Sequence, residues 1–173
     1  LTANSNYVYL DGGSGDDYLY FDTTRVNENI RHSTMRGGDG RDLFAFLTSE
    51  KQISSAVIKD FSASDGDGVA VGSSNATNLY LLRSTNDDGD LVFKSSDGLI
   101  DFTMEGIKDF STIADNVVIL SYSGTNTLIS FEEAIVPYGV IKTVLSSGQA
   151  SAYVSSLYSG DIWLGGWDFF NNK

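Results

Sequence analysis

The sequence predicts an all-β chain that opens as a short parallel solenoid. Three observations carry this prediction. Gly12-Gly13-Ser14-Gly15-Asp16-Asp17-Tyr18-Leu19-Tyr20 and Gly37-Gly38-Asp39-Gly40-Arg41-Asp42-Leu43-Phe44-Ala45 both fit the nonapeptide G-G-x-G-x-D-x-U-x, with U a large apolar residue. Phe44 and Phe46 alternate, as two inward positions of one strand do. Of the 23 acidic residues 18 are Asp, a residue of turns and metal loops, and only five are Glu, which a solvated helix would favour.

The nonapeptide has a physical logic. Its glycines let the backbone turn tightly and aim carbonyl oxygens inward. Its sixth-position Asp adds a hard anionic oxygen, and its apolar U points into the solenoid. Register extension gives two degenerate copies. Ala3 to Asp11 keeps Leu10 at the apolar position and has Val8 where Asp belongs, and Glu28 to Arg36 keeps Met35 and has Ser33. The coils therefore continue there while their loops lose metal affinity. The two intact loops start 25 residues apart. Two nonapeptides make a turn of about 18, so about seven residues are inserted, placed between Phe21 and Asn27. If the insertion bulges outward, the intact loops stack on one side, and Asp17 and Asp42 face each other around one shared ion.

These runs resemble the calcium-binding repeats of RTX proteins, the hemolysin-type family exported by bacteria. The resemblance implies a parallel β-roll with Ca2+ between successive turns. It nominates as ligands the carboxylates of Asp17 and Asp42, the backbone oxygens of Gly12, Ser14, Gly15, Gly37, Asp39 and Gly40, and the side chain of Asp39. Calcium takes six to eight oxygens at roughly 2.3–2.6 Å, which two such loops can supply. On this reading residues 1–46 are the β-roll, and 40–46 resemble the family's closing repeat.

Residues 47–120 read as an antiparallel β cap of the roll. Ala56 to Phe61 and Asp65 to Val71 resemble the family's segment after the array, with a smaller apolar pair at Val69 and Val71. The resemblance makes Asp60 and Asp67 further ligand candidates, against turn chemistry and capping. Leu79 to Arg83 and Asp90 to Lys94 flank Asn86-Asp87-Asp88-Gly89, a hairpin signal. Asn86, Asp88 and Asp90 also open like an EF-hand loop, but Leu91 and Asp97 stand where Gly and Glu belong, so this is a β-turn. Asp97 to Ile107 and Ala114 to Leu120 resemble the family's last strands.

Residues 121–173 form a small mixed C-terminal segment. Ser130 and Glu133 have capping-box spacing and predict a short helix stopped by Pro137. Gln149 to Tyr158 reads as a second helix. The aromatic end, Ile162 to Phe170, has three readings: an uncleaved type I export signal, as position in an RTX protein implies; a strand packed on the cap; or a contact surface.

The formal net charge of -12 disfavours nucleic acid and anionic membranes as partners. No apolar run approaches the roughly 18 residues of a membrane span. With no Cys, disulfide and thiolate chemistry are excluded, and bound metal is an alternative staple. Zinc does not suit an oxygen-rich donor set. The single His32 lies in a degenerate repeat, and no G-x-S-x-G or H-E-x-x-H run occurs, so no catalytic residues are assigned and no enzyme is expected. The sequon Asn75-Ala76-Thr77 marks an exposed loop. The chain opens on Leu1 rather than Met, which reads as a fragment or processed product.

The expectation is a calcium-binding C-terminal module of a secreted bacterial RTX protein. It would fold on extracellular Ca2+ and engage the type I secretion machinery. The alternative is a structural or adhesive cell-surface protein (an S-layer, filament or adhesin subunit) that assembles with itself or with other surface proteins through calcium.

Overall fold

The computed structural model describes residues 2–3, 6–23, 28–73, 79, 81–113 and 116–121, and the strands at 133–136, 140–143, 163–164 and 167–168, with backbone alone at 2–3, 118–121 and beyond. Nearly all of this is β-structure, as expected. One 3-10 turn, Phe110–Thr112, is capped by Asp109, whose side chain accepts from the Ser111 amide.

The coils alternate between two sheets, the first parallel throughout and the second parallel at its core with antiparallel strands added at one side. The first sheet takes β1 (Thr2–Ala3), β3 (Tyr18–Asp22), β6 (Leu43–Thr48), β8 (Gly68–Ser73) and β12 (Val117–Ser121), in that order. The second takes β2 (Tyr9–Ser14), β5 (Thr34–Asp39), β7 (Ile53–Ile58) and β11 (Ile100–Met104), each parallel to the next. A short β4 (Ile30–Arg31) also pairs with β7. Leu10 lies beside Met35, which lies beside Ile58 and then Met104; Leu19, Phe44, Val69 and Val117 form the facing column. All eight are buried. The apolar positions of the intact and degenerate nonapeptides thus build one core, in which Phe46 stacks on Phe102 at 4.4 Å and meets Phe21 edge-on.

The antiparallel cap expected over 47–120 needs correction. β7 and β8 pair parallel with β5 and β6, and β11 and β12 pair parallel with β7 and β8. Among the described residues antiparallel pairing in this stretch is confined to β9 (Leu81–Thr85), β10 (Leu91–Ser95) and β11, where the predicted turn forms: Asn86 Oδ1 accepts from the Asp90 amide at 2.8 Å. The reason is the core. Val69 and Val71 are small, but they fall in register with Phe44 and Phe46, and another parallel coil buries them completely. The helix start predicted at Ser130–Glu133 is also overturned, since Glu133–Val136 is a strand, β13, antiparallel to β14 (Val140–Thr143). β-branched Ile135 and Val136 pair with Ile141 and Val140, which outweighs the local capping signal. β15 (Trp163–Leu164) pairs antiparallel with β16 (Trp167–Asp168). The expected helix at 149–158 and the sequon lie outside the described residues.

Each coil has two corners. Glycine-rich loops turn the chain from the second sheet into the first. Toward the opposite corner, on the second sheet, three non-glycine residues of successive coils lie in register in the left-handed region: Tyr7 (φ 58), His32 (φ 51) and Ser55 (φ 52), the last within β7.

Candidate metal centre

The two intact loops stack in register on one edge. Gly13 pairs with Gly38 and Ser14 with Asp39. The stack is so close that it requires glycine, most tightly at Gly37 and Gly38. A Cβ on Gly37 would fall inside the carboxylate of Asp42, and one on Gly38 (φ 101) would meet the Gly13 carbonyl. The Gly15 amide donates to the Asp39 carbonyl at 2.7 Å.

A ladder of aspartates runs along this edge. The Asp17 amide donates to Asp42 Oδ1 at 2.9 Å, and the Asp42 amide donates to Asp67 Oδ1 at 2.9 Å; each rung spans 25 residues. Asp67 Oδ2 accepts from the Ser62 amide at 2.8 Å. Beside the ladder, the Asp60 carboxylate accepts from the Gly37 and Gly38 amides at 2.9 and 3.0 Å. Asp60 and Asp67 are thus brought against the second intact loop. Asp16 faces outward and binds the amide and guanidinium of Arg41, which hold its carboxyl below the usual range.

Ser62-Ala63-Ser64-Asp65-Gly66-Asp67 occupies the next coil at the position of Gly37 to Asp42, because Leu43 lies in register with Gly68. It is a third, degenerate nonapeptide. Sequence reading missed it because Ser62 and Ala63 replace the leading glycines. The signal available was the recurrence of Asp at 17, 42 and 67.

The electrostatics are those of carboxylates crowded away from water. Asp42 and Asp67 are 1% and 2% exposed. Burial raises the Asp42 carboxyl above its usual range; the Asp17 amide opposes this, and the charges of Asp17, Asp60 and Asp16 add to it. Burial likewise pushes Asp67 up to about 6, against the amides of Ser62 and Asp42 and with the charges of Asp42 and Asp60. Asp42 Oδ2 is buried and has no hydrogen-bond partner among the described residues.

Whether these residues suit a cation follows from the donor set. All nominated ligands are oxygens, the set that hard cations prefer. Among the described residues no three His, Cys, Asp or Glu side chains converge on one point, so carbonyls of the glycine loops must supply the remaining oxygens. The donor types fit: Asp42 brings an unsatisfied buried oxygen, and the loops 12–15 and 37–40, stacked in register, carry backbone carbonyls on the same edge.

Among the described residues no helix is long and apolar enough to cross a membrane. No protein-family model matches the chain, and no curated protein matches it. Among solved structures, the solution structure of the AlgE6R3 subunit from the Azotobacter vinelandii mannuronan C5-epimerase is similar over 78% of this chain and 92% of that one, with 22% sequence identity and a TM-score of 0.40.

Proposed function

We propose that this chain is a calcium-binding β-roll module of a secreted, RTX-like protein, and that calcium converts its acidic edge from a source of repulsion into a source of order. The observation that carries the reading is the ladder Asp17–Asp42–Asp67 beside the stacked glycine loops, with Asp42 Oδ2 buried and unsatisfied. The carboxylates of Asp17, Asp42, Asp60 and Asp67 would serve ions spaced along the edge, no more than two of them at any one ion, with the carbonyls of Gly12, Ser14, Gly15, Gly37, Asp39 and Gly40 supplying the remaining oxygens; the exposed side chain of Asp39 adds a further oxygen at the rim. The ion supplies charge neutralisation. The loops supply orientation, through backbone turns that cannot accommodate a side chain at Gly37 or Gly38.

Because calcium binds the folded loops and not the open chain, binding free energy becomes folding free energy. Extracellular calcium modules bind at roughly 10⁻⁴–10⁻³ M, a range that leaves them empty in a cytosol and filled outside it. A compartment switch of this kind suits a chain exported by a type I channel and folded on arrival. The module's task is folding and display, without turnover of a substrate.

The test is a thermal melt followed by circular dichroism, in calcium and in EGTA. Calcium at a hundred times Kd adds about 2.7 kcal/mol per site, or about 5–10 °C in melting temperature for a domain of this size. Asp42→Asn keeps the acceptor for the Asp17 amide but drops the charge. It is expected to need at least about tenfold more calcium, a loss of ~1.4 kcal/mol, and to melt higher than the native chain in EGTA. A native melt that EGTA leaves unmoved would overturn the reading.

A second reading, a cell-surface subunit that assembles through calcium, is favoured by two large side chains left in solvent, Tyr7 at 77% and Tyr9 at 57% exposure. Light scattering with and without calcium separates the two: growth of the particle supports the second, a constant monomer the first.

A further inference from the structure

The corner opposite the glycine loops carries features that calcium binding does not use. Tyr7 is exposed, and its ring stacks on His32 with centroids 5.3 Å apart and planes 19° from parallel. Both residues sit at positive φ, a region that an L-residue of this size enters only at a conformational cost. Glycine or asparagine would turn the same corner more cheaply, so two rings held there at a conformational cost point to a use for them.

Asn6 and Arg31, the chain neighbours of this pair, line a pocket of about 270 Å³ together with Glu28, Asn29 and Lys51. Asn29 is fixed by accepting the Gln52 amide at 2.8 Å through Oδ1, which turns its amide nitrogen, a donor, to other partners. Arg31 and Lys51 make no ion pair among the described residues, in a chain of net charge -12.

We propose that this corner is a saccharide-binding site, which takes a hexopyranose ring against the free face of Tyr7 and its hydroxyls in the pocket between Asn6 and Lys51. The electron-rich face of an aromatic ring attracts the slightly positive C–H groups on the flat side of a pyranose. His32 covers the other face and keeps the tyrosine ring from folding away. The lining supplies donors at Asn6, Asn29, Arg31 and Lys51 and an acceptor at Glu28, a mixture that matches hydroxyls, which both donate and accept. An apolar ligand would meet no apolar wall there. A nucleic acid would be repelled by the overall charge. The volume lies just under the roughly 300 Å³ at which pockets for larger ligands begin, which suits one sugar ring.

The test is a titration of the ¹⁵N-labelled chain, in excess calcium, with maltohexaose, cellohexaose, chitohexaose and a galacturonate hexamer, read by amide shifts. At least one is expected to move the amides of residues 6–7, 28–32 and 51 in a saturable way. Tyr7→Gly relieves the positive φ, so its melting temperature should not fall, while binding weakens by about tenfold or more. Tyr7→Phe keeps the ring and should bind like the native chain. If no sugar in the set moves those amides in a spectrum that calcium has dispersed, or if Tyr7→Gly binds as tightly as the native chain, the site is disproved and the calcium reading stands. A spectrum equally dispersed in EGTA sinks the calcium reading and leaves the sugar site standing.

Discussion

The two corners of each coil perform the same backbone task with different chemistry. On the glycine edge, the Asp42 carboxylate accepts the Asp17 amide from the coil before it. On the opposite edge, Ser33 Oγ accepts the Val8 amide at 3.0 Å, again across 25 residues, and donates to the Arg31 carbonyl at 3.1 Å. A hydroxyl both donates and accepts, so the serine corner is complete without a charge. The aspartate corner performs the same bridging and leaves over a buried anionic oxygen. Winding therefore does not require a carboxylate. At Asp42 the second carboxylate oxygen has no such architectural use, and the proposed cation is what would give it one.

That contrast can be broken or sharpened by substitution. The largest effect is expected at the glycine edge. Gly37→Ala pushes a methyl into the Asp42 carboxylate, and overpacking of this kind costs roughly 1–3 kcal/mol before any loss of metal affinity. Melts of this variant in calcium and in EGTA should differ less than those of the native chain. Next comes pH, in calcium-free buffer. The folded state holds the Asp67 proton with a pKa of about 6, against an ordinary 3.8. The resulting stability is fully present below 3.8 and lost as pH rises through 6. Between pH 7 and pH 4 the calcium-free chain should gain roughly 2–3 kcal/mol in a urea melt, and Asp67→Asn should abolish most of that gain. The smallest effect is expected on the serine edge. Ser33→Ala strands the Val8 amide, at a cost of about 1–2 kcal/mol, and this cost should be the same in calcium and in EGTA. A calcium-dependent cost there would mean that the two edges are not chemically distinct.

How much of this was legible in the sequence depends on whether the signal was local. The loops at 12–17 and 37–42 carry their glycines and aspartates within six residues, and the structure stacks them as the spacing implied. The turn at Asn86–Gly89 was equally local, and it forms. The parallel pairing of β7 and β8 was not legible. A parallel partner lies more than twenty residues away, and Ser54, Ser55 and Gly68 dilute the apolar pattern that would have announced another coil. The left-handed residue at Ser55 adds to this, since Ile53 and Ala56 both point inward around it and break the alternation of a plain strand. Ser33 was read as a lost ligand. It is buried, and it preserves the bridge that the aspartate makes elsewhere.

The bridges between coils have a direction. Asp67 satisfies Asp42, and Asp42 satisfies Asp17. Asp67 is itself held within its own coil, where it accepts from the Ser62 amide and donates its own to the Ser62 carbonyl. The carboxylate bridges of these aspartates thus point toward the amino end, while the backbone bonds beside them point the other way, from the Leu43 amide to the Asp17 carbonyl and from the Gly68 amide to the Asp42 carbonyl. A cut therefore costs differently at each end: removing the first loop takes the acceptors of the Arg41 and Leu43 amides, whereas ending the chain ahead of Ser62 leaves the buried Asp42 amide without its carboxylate.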